Sequence, residues 1–192
     1  MMKLEESLEV LAQHRTEEIV VPTMTVARLW PNYSRRHELD FPYVGMAMGH
    51  ASDFALGIAL AQPQRRVIAL NGDGSMLMNL GNLVTVAHLA PPNYILMVFE
   101  NEKYEITGGQ PIPGVKKVDF PRIAEGAGFT RVYGFEEVEP FARQLPQILQ
   151  ERGPVFVNLK VFYTGKIPPL TQRPNIPEIG QRFKATLAGT AP

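Results

Sequence analysis

The sequence predicts a single α/β domain in which a mostly parallel sheet is covered by helices on both faces, giving three layers. Several short segments are apolar along their whole length, as strands are when helices cover both faces of a parallel sheet. These segments alternate with stretches in which apolar residues recur at helical spacing. The 192 residues suffice for one ordinary domain with a buried core.

The first half of the chain alternates between helix and strand patterns. Leucines at helical spacing predict an opening helix over residues 3–14. A short apolar strand at 19–21 then leads through a polar turn into a short helix within residues 23–30. The remaining elements of this half are a strand at 41–46, a helix of small residues at 49–61 and a buried strand at 67–70.

The second half continues the alternation and then loses it. A turn at 71–74 precedes an apolar helix over 75–89, and two prolines end that helix. The later elements are strands at 94–99, 129–134 and 154–162, with a helix over 136–150 between the last two. From about residue 164 proline becomes frequent and periodicity ends. We therefore expect a domain over residues 1–163 and a Pro-rich surface arm or disordered tail over residues 164–192.

The composition excludes several classes of function. Nineteen basic and nineteen acidic residues give no net charge, so neither a nucleic-acid groove nor electrostatic attachment to a membrane is expected. The absence of cysteine excludes disulfides, thiolate metal sites and cysteine nucleophiles. The N-terminus lacks the apolar stretch of a secretion signal, and no later stretch would span a membrane. The sequence is thus typical of a soluble, cytoplasmic protein.

The strongest local motif is a strand followed by Gly72-Asp73-Gly74-Ser75 and then a helix. Glycines at such a turn let the backbone approach a phosphate, and the first N–H groups of a helix favour an anion. The Asp73 carboxylate would repel a bare phosphate, but it suits a Mg²⁺ ion that bridges the protein and a diphosphate. Taken alone, the motif is more typical of a tight Asp-Gly turn before an ordinary helix.

A second polar motif follows the next strand, at Asn101. The carboxyl ends of parallel strands meet at one edge of a sheet, where ligands bind, so Asn101 is expected to lie near Asp73. A side-chain amide oxygen and a nearby main-chain carbonyl are hard ligands of the kind that Mg²⁺ takes. By itself Asn101 is also typical of a residue that only forms a turn.

Together, Gly72-Asp73-Gly74 and Asn101 resemble the magnesium and thiamine diphosphate motif of thiamine-dependent enzymes. This resemblance implies that Mg²⁺ is bound by the Asp73 carboxylate, the Asn101 side chain and the main-chain carbonyl of Lys103. It also places Tyr104, beside Lys103, among the cofactor-binding residues. The implied cofactors are thiamine diphosphate and Mg²⁺, on a diphosphate-binding domain of the thiamine enzyme fold.

The segment from Met46 to His50 agrees with this resemblance. It is similar to the turn in decarboxylases of this group where one large apolar side chain wedges between the two thiamine rings. Met48 holds that position, next to Gly49, and the resemblance implies that the Met48 N–H and the Met46 carbonyl contact the aminopyrimidine. The alternative for Met48 is ordinary core packing. The resemblance implies no direct catalytic role for His50.

Thr23 and Thr25 follow the first predicted strand. They are similar in position to hydroxyl residues that bind the diphosphate in related enzymes. Either could instead cap the N-terminus of a helix.

Residues 77–81, 93–96 and 107–110 narrow the resemblance to decarboxylases of the sulfopyruvate and phosphonopyruvate type, over residues 15–160. The length resembles that of a separate β subunit. The pattern departs at four residues, where small or neutral side chains are usual: Glu100, Glu102, Lys103 and Glu105. Carboxylates beside the cofactor weigh against an anionic second group on the substrate.

The resemblance also implies a partner, because the glutamate that activates the aminopyrimidine belongs to a separate pyrimidine-binding domain. No glutamate of this chain has the expected context. We therefore expect a β subunit that is active only with a pyrimidine-binding α subunit, in a hetero-oligomer, and that self-associates when isolated. The alternatives are a subunit of another thiamine enzyme, such as a carboligase or synthase, and a non-catalytic cofactor-binding module.

Overall fold

The computed structural model describes residues 1–41, 48–168 and 175–189, and six of its strands form one parallel sheet. These strands are β1 Met2–Lys3, β2 Ile19–Pro22, β3 Val67–Gly72, β4 Tyr94–Glu100, β7 Arg131–Phe135 and β8 Val155–Phe162. The order is β2, β3, β4, β8, and the outer edge of β8 is shared by β7 and then β1. Two short strands, β5 Lys103–Tyr104 and β6 Gln110–Pro111, pair antiparallel outside this sheet.

Helices cover both faces of the sheet. On one face pack α1 Leu4–His14, α2 Met24–Leu29 and α7 Val138–Ile148. On the other pack α3 Ala51–Ala61, α4 Asp73–Leu77, α5 Gly81–Leu89, α6 Phe120–Ala127 and α8 Ile176–Leu187. Three 3-10 turns lie at Trp30–Asn32, His37–Leu39 and Glu105–Thr107.

The central strand β4 shows why the sheet needs both layers. Ile95 and Met97 are buried in the core of the α1 face, whereas Leu96 and Val98 are buried in the core of the α3 face. Successive side chains of a strand point to opposite faces, so an apolar run requires cover on both sides. The predicted three-layer α/β fold is confirmed.

One prediction about an individual element needs correction. The helix predicted over 75–89 is broken between α4 and α5, where Asn79 and Gly81 have low helix propensity and the Asn79 side chain bonds to Asp53 of α3. Helix α6 was not predicted. The strand predicted at 41–46 falls almost wholly outside the described residues, although Asp40 forms a single parallel bridge with β2.

In the C-terminal segment, residues 176–187 form helix α8 and are not a disordered tail. Asn175 caps α8 by accepting from the Glu178 N–H, and Phe183 is buried against Phe41, with ring centroids 5.2 Å apart. The prolines had suggested that regular structure ends at residue 164, but Pro177 stands in the first turn of the helix, where proline is tolerated. Among the described residues, no helix is both long and apolar enough to cross a membrane.

Candidate active site

A cavity of about 240 Å³ opens at the carboxyl ends of β2, β3 and β4. The expected sharing of one rim by the loops after these strands is confirmed for the described residues. Its lining includes most of the site residues predicted from the sequence: Thr23, Thr25, Met48, Gly72, Asp73, Gly74, Ser75, Asn101, Lys103 and Tyr104. The lining also includes Leu4, Phe99 and Val161, which were not predicted because they are apolar and belong to no polar motif.

The Gly72–Gly74 turn lies at the base of this cavity, and its two glycines have different surroundings. A side-chain carbon at Gly74 would come within 2.6 Å of the Tyr104 ring, so only glycine lets this ring lie against the turn. A side-chain carbon at Gly72 would meet no atom within 4 Å. Gly74 therefore serves packing between the two loops, whereas the space beside Gly72 is free for a ligand.

Asp73 is 2% exposed and connects the ends of β3 and β4. One carboxylate oxygen accepts from the Gly74 N–H at 2.7 Å. The other accepts from the N–H groups of Asn101 and Glu102, at 3.0 and 2.6 Å. Burial raises the pKa of Asp73 to about 6, because removal from water penalises the carboxylate more than these N–H groups stabilise it. A cation beside this carboxylate would offset that penalty.

Asn101 forms hydrogen bonds through its backbone nitrogen, its side-chain oxygen and its side-chain nitrogen. Besides its bond to Asp73, its side-chain oxygen accepts from the Lys103 N–H at 3.1 Å. Its side-chain nitrogen donates to a carboxylate oxygen of Glu105, also at 3.1 Å. Asp73, Asn101 and Lys103 are thus adjacent, as the magnesium motif requires.

Thr23 and Thr25 approach the cavity from β2. Thr23 occupies the residue before α2 but makes no capping hydrogen bond, and Thr25 lies inside that helix, so capping does not explain either residue. The Thr23 hydroxyl oxygen is buried without a hydrogen-bond partner in a residue that is 1% exposed. Because buried hydroxyls are normally satisfied, this oxygen is available to a ligand in the cavity.

Met48 lines the cavity and is 43% exposed, which excludes ordinary core packing. Gly49 follows it with φ of +88°, a conformation that favours glycine, and donates its N–H to the Ser75 hydroxyl at 2.9 Å. Met46 lies outside the described residues. His50 is outside the cavity lining, and its Nδ1 lies 2.8 Å from the Asp53 carboxylate.

The four departures from the decarboxylase pattern do not all face this cavity. Only Lys103 and Glu105 line it. Glu100 lines a neighbouring cavity of about 390 Å³, where its carboxylate accepts from the Asn158 side chain at 2.6 Å. Glu102 lines neither cavity. Of the extra carboxylates expected beside the cofactor, Glu105 alone is in the lining of this cavity, together with Lys103.

The groups in the cavity fit a magnesium-bound diphosphate. Within the described residues there is no cluster of three or more histidines, cysteines, aspartates and glutamates that would hold a metal by itself. One carboxylate, one amide oxygen and a main-chain carbonyl suit an ion that also takes phosphate oxygens. The unpartnered Thr23 hydroxyl and the open space at Gly72 provide a donor and room for the phosphates.

Comparisons with known proteins agree with this geometry. The family model described as "Thiamine pyrophosphate enzyme, C-terminal TPP binding domain" matches residues 19–159. The sulfopyruvate decarboxylase subunit beta of Methanocaldococcus jannaschii is 34% identical over 160 residues, which cover 80% of this chain and 84% of that one. The phosphonopyruvate decarboxylase of Streptomyces viridochromogenes is 36% identical over 154 residues, or 78% of this chain.

A solved structure shares the fold. The chain superposes with a TM-score of 0.71, at 25% identity over 84% of its length, on a Mycobacterium smegmatis protein assigned to the thiamin diphosphate-dependent enzymes. It spans only 32% of that protein and 38% of the phosphonopyruvate decarboxylase. The relatives called subunit beta imply a partner subunit for a chain of this size. The chain belongs to the thiamine pyrophosphate enzyme family, as a TPP-binding domain of the kind that forms the β subunit of sulfopyruvate decarboxylase.

Proposed function

We propose that the chain is the diphosphate- and Mg²⁺-binding β subunit of a decarboxylase for small 2-oxo acids of the sulfopyruvate or phosphonopyruvate type. The observation that carries this proposal is the meeting of Asp73, Asn101, Thr23 and Met48 in one cavity. Each comes from a different segment, and each is the type of group that its proposed role requires.

In this proposal Asp73, Asn101 and the Lys103 carbonyl hold the metal. The diphosphate lies beside it, in the space at Gly72 and Gly74, where the Ser75 N–H and the hydroxyls of Thr23 and Thr25 hold it. Tyr104 closes the cavity over the turn. When bound, thiamine diphosphate supplies the carbon nucleophile and the electron sink that let carbon dioxide leave a 2-oxo acid.

The segment around Met48 sets the relative orientation of the two thiamine rings. Met48, held in place through Gly49 and Ser75, presents its side chain to the cavity. We assign to it the position between the rings, with the Met48 N–H and the Met46 carbonyl contacting the aminopyrimidine. Accurate placement of reacting groups is worth several orders of magnitude in rate, so Met48 acts through geometry.

A partner is needed to complete the site. Asp73 and Glu105 are the carboxylates among the described lining residues. Both accept hydrogen bonds from Asn101, beside the proposed metal site. The acid that activates the aminopyrimidine is therefore assigned to a pyrimidine-binding α subunit, in an α2β2 or larger assembly. The exposed apolar side chains of Met48 and Met78, which line the cavity, support such an interface and self-association of the isolated chain.

The substrate class follows from the charges at the cavity. Glu105 is engaged by Asn101, whereas the exposed Lys103 ammonium leaves a positive group at this rim. This balance is compatible with a 2-oxo acid that carries a second anionic group. The names of the relatives favour a sulfonate or a phosphonate at that position.

The decisive test is reconstitution with the partner. The chain is purified alone and co-expressed with a pyrimidine-domain subunit, and carbon dioxide release is measured from sulfopyruvate, phosphonopyruvate and pyruvate. We expect turnover only from the complex, and the fastest turnover with an anionic second group. Decarboxylation at an equal rate by the chain alone would contradict the shared site. Formation of carbon–carbon bonds without net release of substrate-derived aldehyde would identify a carboligase instead.

A further inference from the structure

The amide of Asn101 is asymmetric, and its orientation decides whether it can bind a cation. The side-chain oxygen is a metal ligand, whereas the side-chain nitrogen carries two hydrogens and is not. Rotation by half a turn would exchange the two atoms. An enzyme that uses this amide as a ligand therefore needs a neighbour that distinguishes oxygen from nitrogen.

Glu105 is such a neighbour. A carboxylate only accepts hydrogen bonds, so it binds the nitrogen side of the amide, and Asn101 Nδ2 lies 3.1 Å from Glu105 Oε2. The oxygen then faces the other way, toward the Lys103 N–H. The N–H of Lys103 also favours this orientation, but a cation on the amide oxygen would compete with it for the same atom. Glu105 acts on the other end of the amide and keeps its bond in either case.

The loop that carries Glu105 is itself fixed against the Gly72–Gly74 turn. Glu105 begins a 3-10 turn directly after β5, and the Tyr104 carbonyl accepts from the Gly109 N–H at 3.0 Å. The Tyr104 ring fills the space that a side chain at Gly74 would need. The position of the Glu105 carboxylate is thereby set relative to Asp73.

We propose that Glu105 is a positioning residue, which holds Asn101 with its amide oxygen available to the cation. This inference rests on the magnesium assignment made above and adds to it a residue outside the Gly72-Asp73-Gly74 and Asn101 motif. The expected effect is on metal and cofactor affinity. A charge-assisted hydrogen bond of this kind corresponds to about a tenfold change in an equilibrium constant.

The experiment compares three variants in the full chain purified with its partner subunit. Glu105→Ala removes the acceptor. Glu105→Gln removes the charge but keeps an oxygen that can accept from Asn101. Glu102→Gln removes a neighbouring charge from a side chain that lines neither cavity. Binding of thiamine diphosphate with Mg²⁺ is followed by isothermal titration, and binding of Mn²⁺ with the cofactor by electron paramagnetic resonance.

We expect Glu105→Ala to weaken both affinities about tenfold and Glu102→Gln to stay within about threefold of wild type. Glu105→Gln should fall between the two, because a glutamine amide can accept from the Asn101 nitrogen but can also donate to its oxygen. Thermal melting of the cofactor-free variants should be unchanged, because Glu105 is only half-buried. Equal losses in all three variants would show that charge attracts the metal, and would overturn the positioning role.

A double-mutant cycle with Asn101→Asp provides a second readout. An aspartate has two equivalent oxygens and needs no orientation, so Glu105→Ala should no longer weaken metal binding in that background. The same tenfold loss in both backgrounds would overturn the proposal. Failure of the wild-type complex to bind Mg²⁺ with thiamine diphosphate would overturn the proposed function as well, whereas normal binding by wild type and Glu105→Ala alike would overturn the role of Glu105 alone.

Discussion

The backbone N–H of Gly49 donates to the Ser75 hydroxyl at a distance of 2.9 Å. This bond joins the segment that carries Met48 to helix α4, directly beside the Gly72–Gly74 turn. Contact between the two is close, since a side chain at Gly49 would come within 3.2 Å of Met78. In the proposed function, this contact links the residue that positions the rings to the turn that binds the diphosphate.

The contact can be tested by Ser75→Ala. Loss of one neutral hydrogen bond, about 1 kcal/mol, should lower turnover of the reconstituted enzyme about fivefold through a looser Met48 segment. Ser75→Thr keeps the hydroxyl and serves as the control. Turnover numbers and cofactor affinities are measured for each variant. A larger loss of affinity than of turnover would instead assign the hydroxyl to the diphosphate.

The proposed position of Met48 between the thiamine rings can be tested by comparing Met48 with the buried Met76. Met48→Ala should lower turnover much more than cofactor affinity, and should cost less than about 1 kcal/mol of unfolding free energy because the side chain is exposed. Met76→Ala, in a fully buried residue, should cost about 2–5 kcal/mol. Chemical denaturation and steady-state kinetics measure both. Equal losses of turnover and affinity in Met48→Ala would contradict the wedge role.

The two glycines of the turn should respond differently to alanine. Gly72→Ala adds a methyl group into the open cavity, so cofactor affinity should fall while the melting temperature stays unchanged. Gly74→Ala forces the Tyr104 ring to move, so stability should fall as well, by about 1–3 kcal/mol. Gly57→Ala, at a site with no atom within 4 Å, is the control. Unchanged affinity in Gly72→Ala would place the phosphates elsewhere.

The metal assignment is tested by Asp73→Ala, which removes the charged ligand. We expect no measurable binding of thiamine diphosphate, with an unchanged circular dichroism spectrum. Isothermal titration of wild type with and without a chelator gives the comparison, since metal removal should reproduce the defect of the variant. Wild-type affinity in Asp73→Ala would contradict the assignment.

The pKa of Asp73 gives this site a pH dependence. Mg²⁺ needs the carboxylate, so below pH 6 the affinity should fall by about tenfold per pH unit as Asp73 is protonated. Stability should change in the opposite direction in the cofactor-free protein. The pKa is raised from 3.8, so the folded state binds the proton more tightly, and Asp73 should lower stability as pH rises from about 4 to 6. Titrations from pH 5 to 8, with the free cofactor titrated in parallel, measure the first effect.

The fold and the positions of Asp73 and Asn101 were predictable because both follow from local sequence patterns. Apolar runs specify buried parallel strands, and the spacing of Asp73 and Asn101 places both at neighbouring strand ends. Helix α6 also had a local signal that was overlooked. Asp119 caps its first turn by accepting from the Arg122 N–H, and Gly128 ends it in the left-handed conformation.

Other features depend on contacts between distant segments and leave no local pattern. The break between α4 and α5 is stabilised by Asn79 and Asn82, whose amides bond to Asp53 on another helix. The direction of Glu100 toward Asn158 rather than the cofactor follows from the alternation of β4 and from the strand beside it. Neither relationship can be deduced from the spacing of the residues involved.

The position of β8 has a consequence for biosynthesis. Strand β4 lies between β3 and β8, so one of its edges stays unpaired until the chain has been synthesised to about residue 162. During that interval the apolar Tyr94–Glu100 segment presents free N–H and C=O groups, a known cause of aggregation in slowly assembled parallel sheets. Binding of the nascent chain by a chaperone until β8 has emerged should therefore improve the yield of soluble subunit more than changes to its surface.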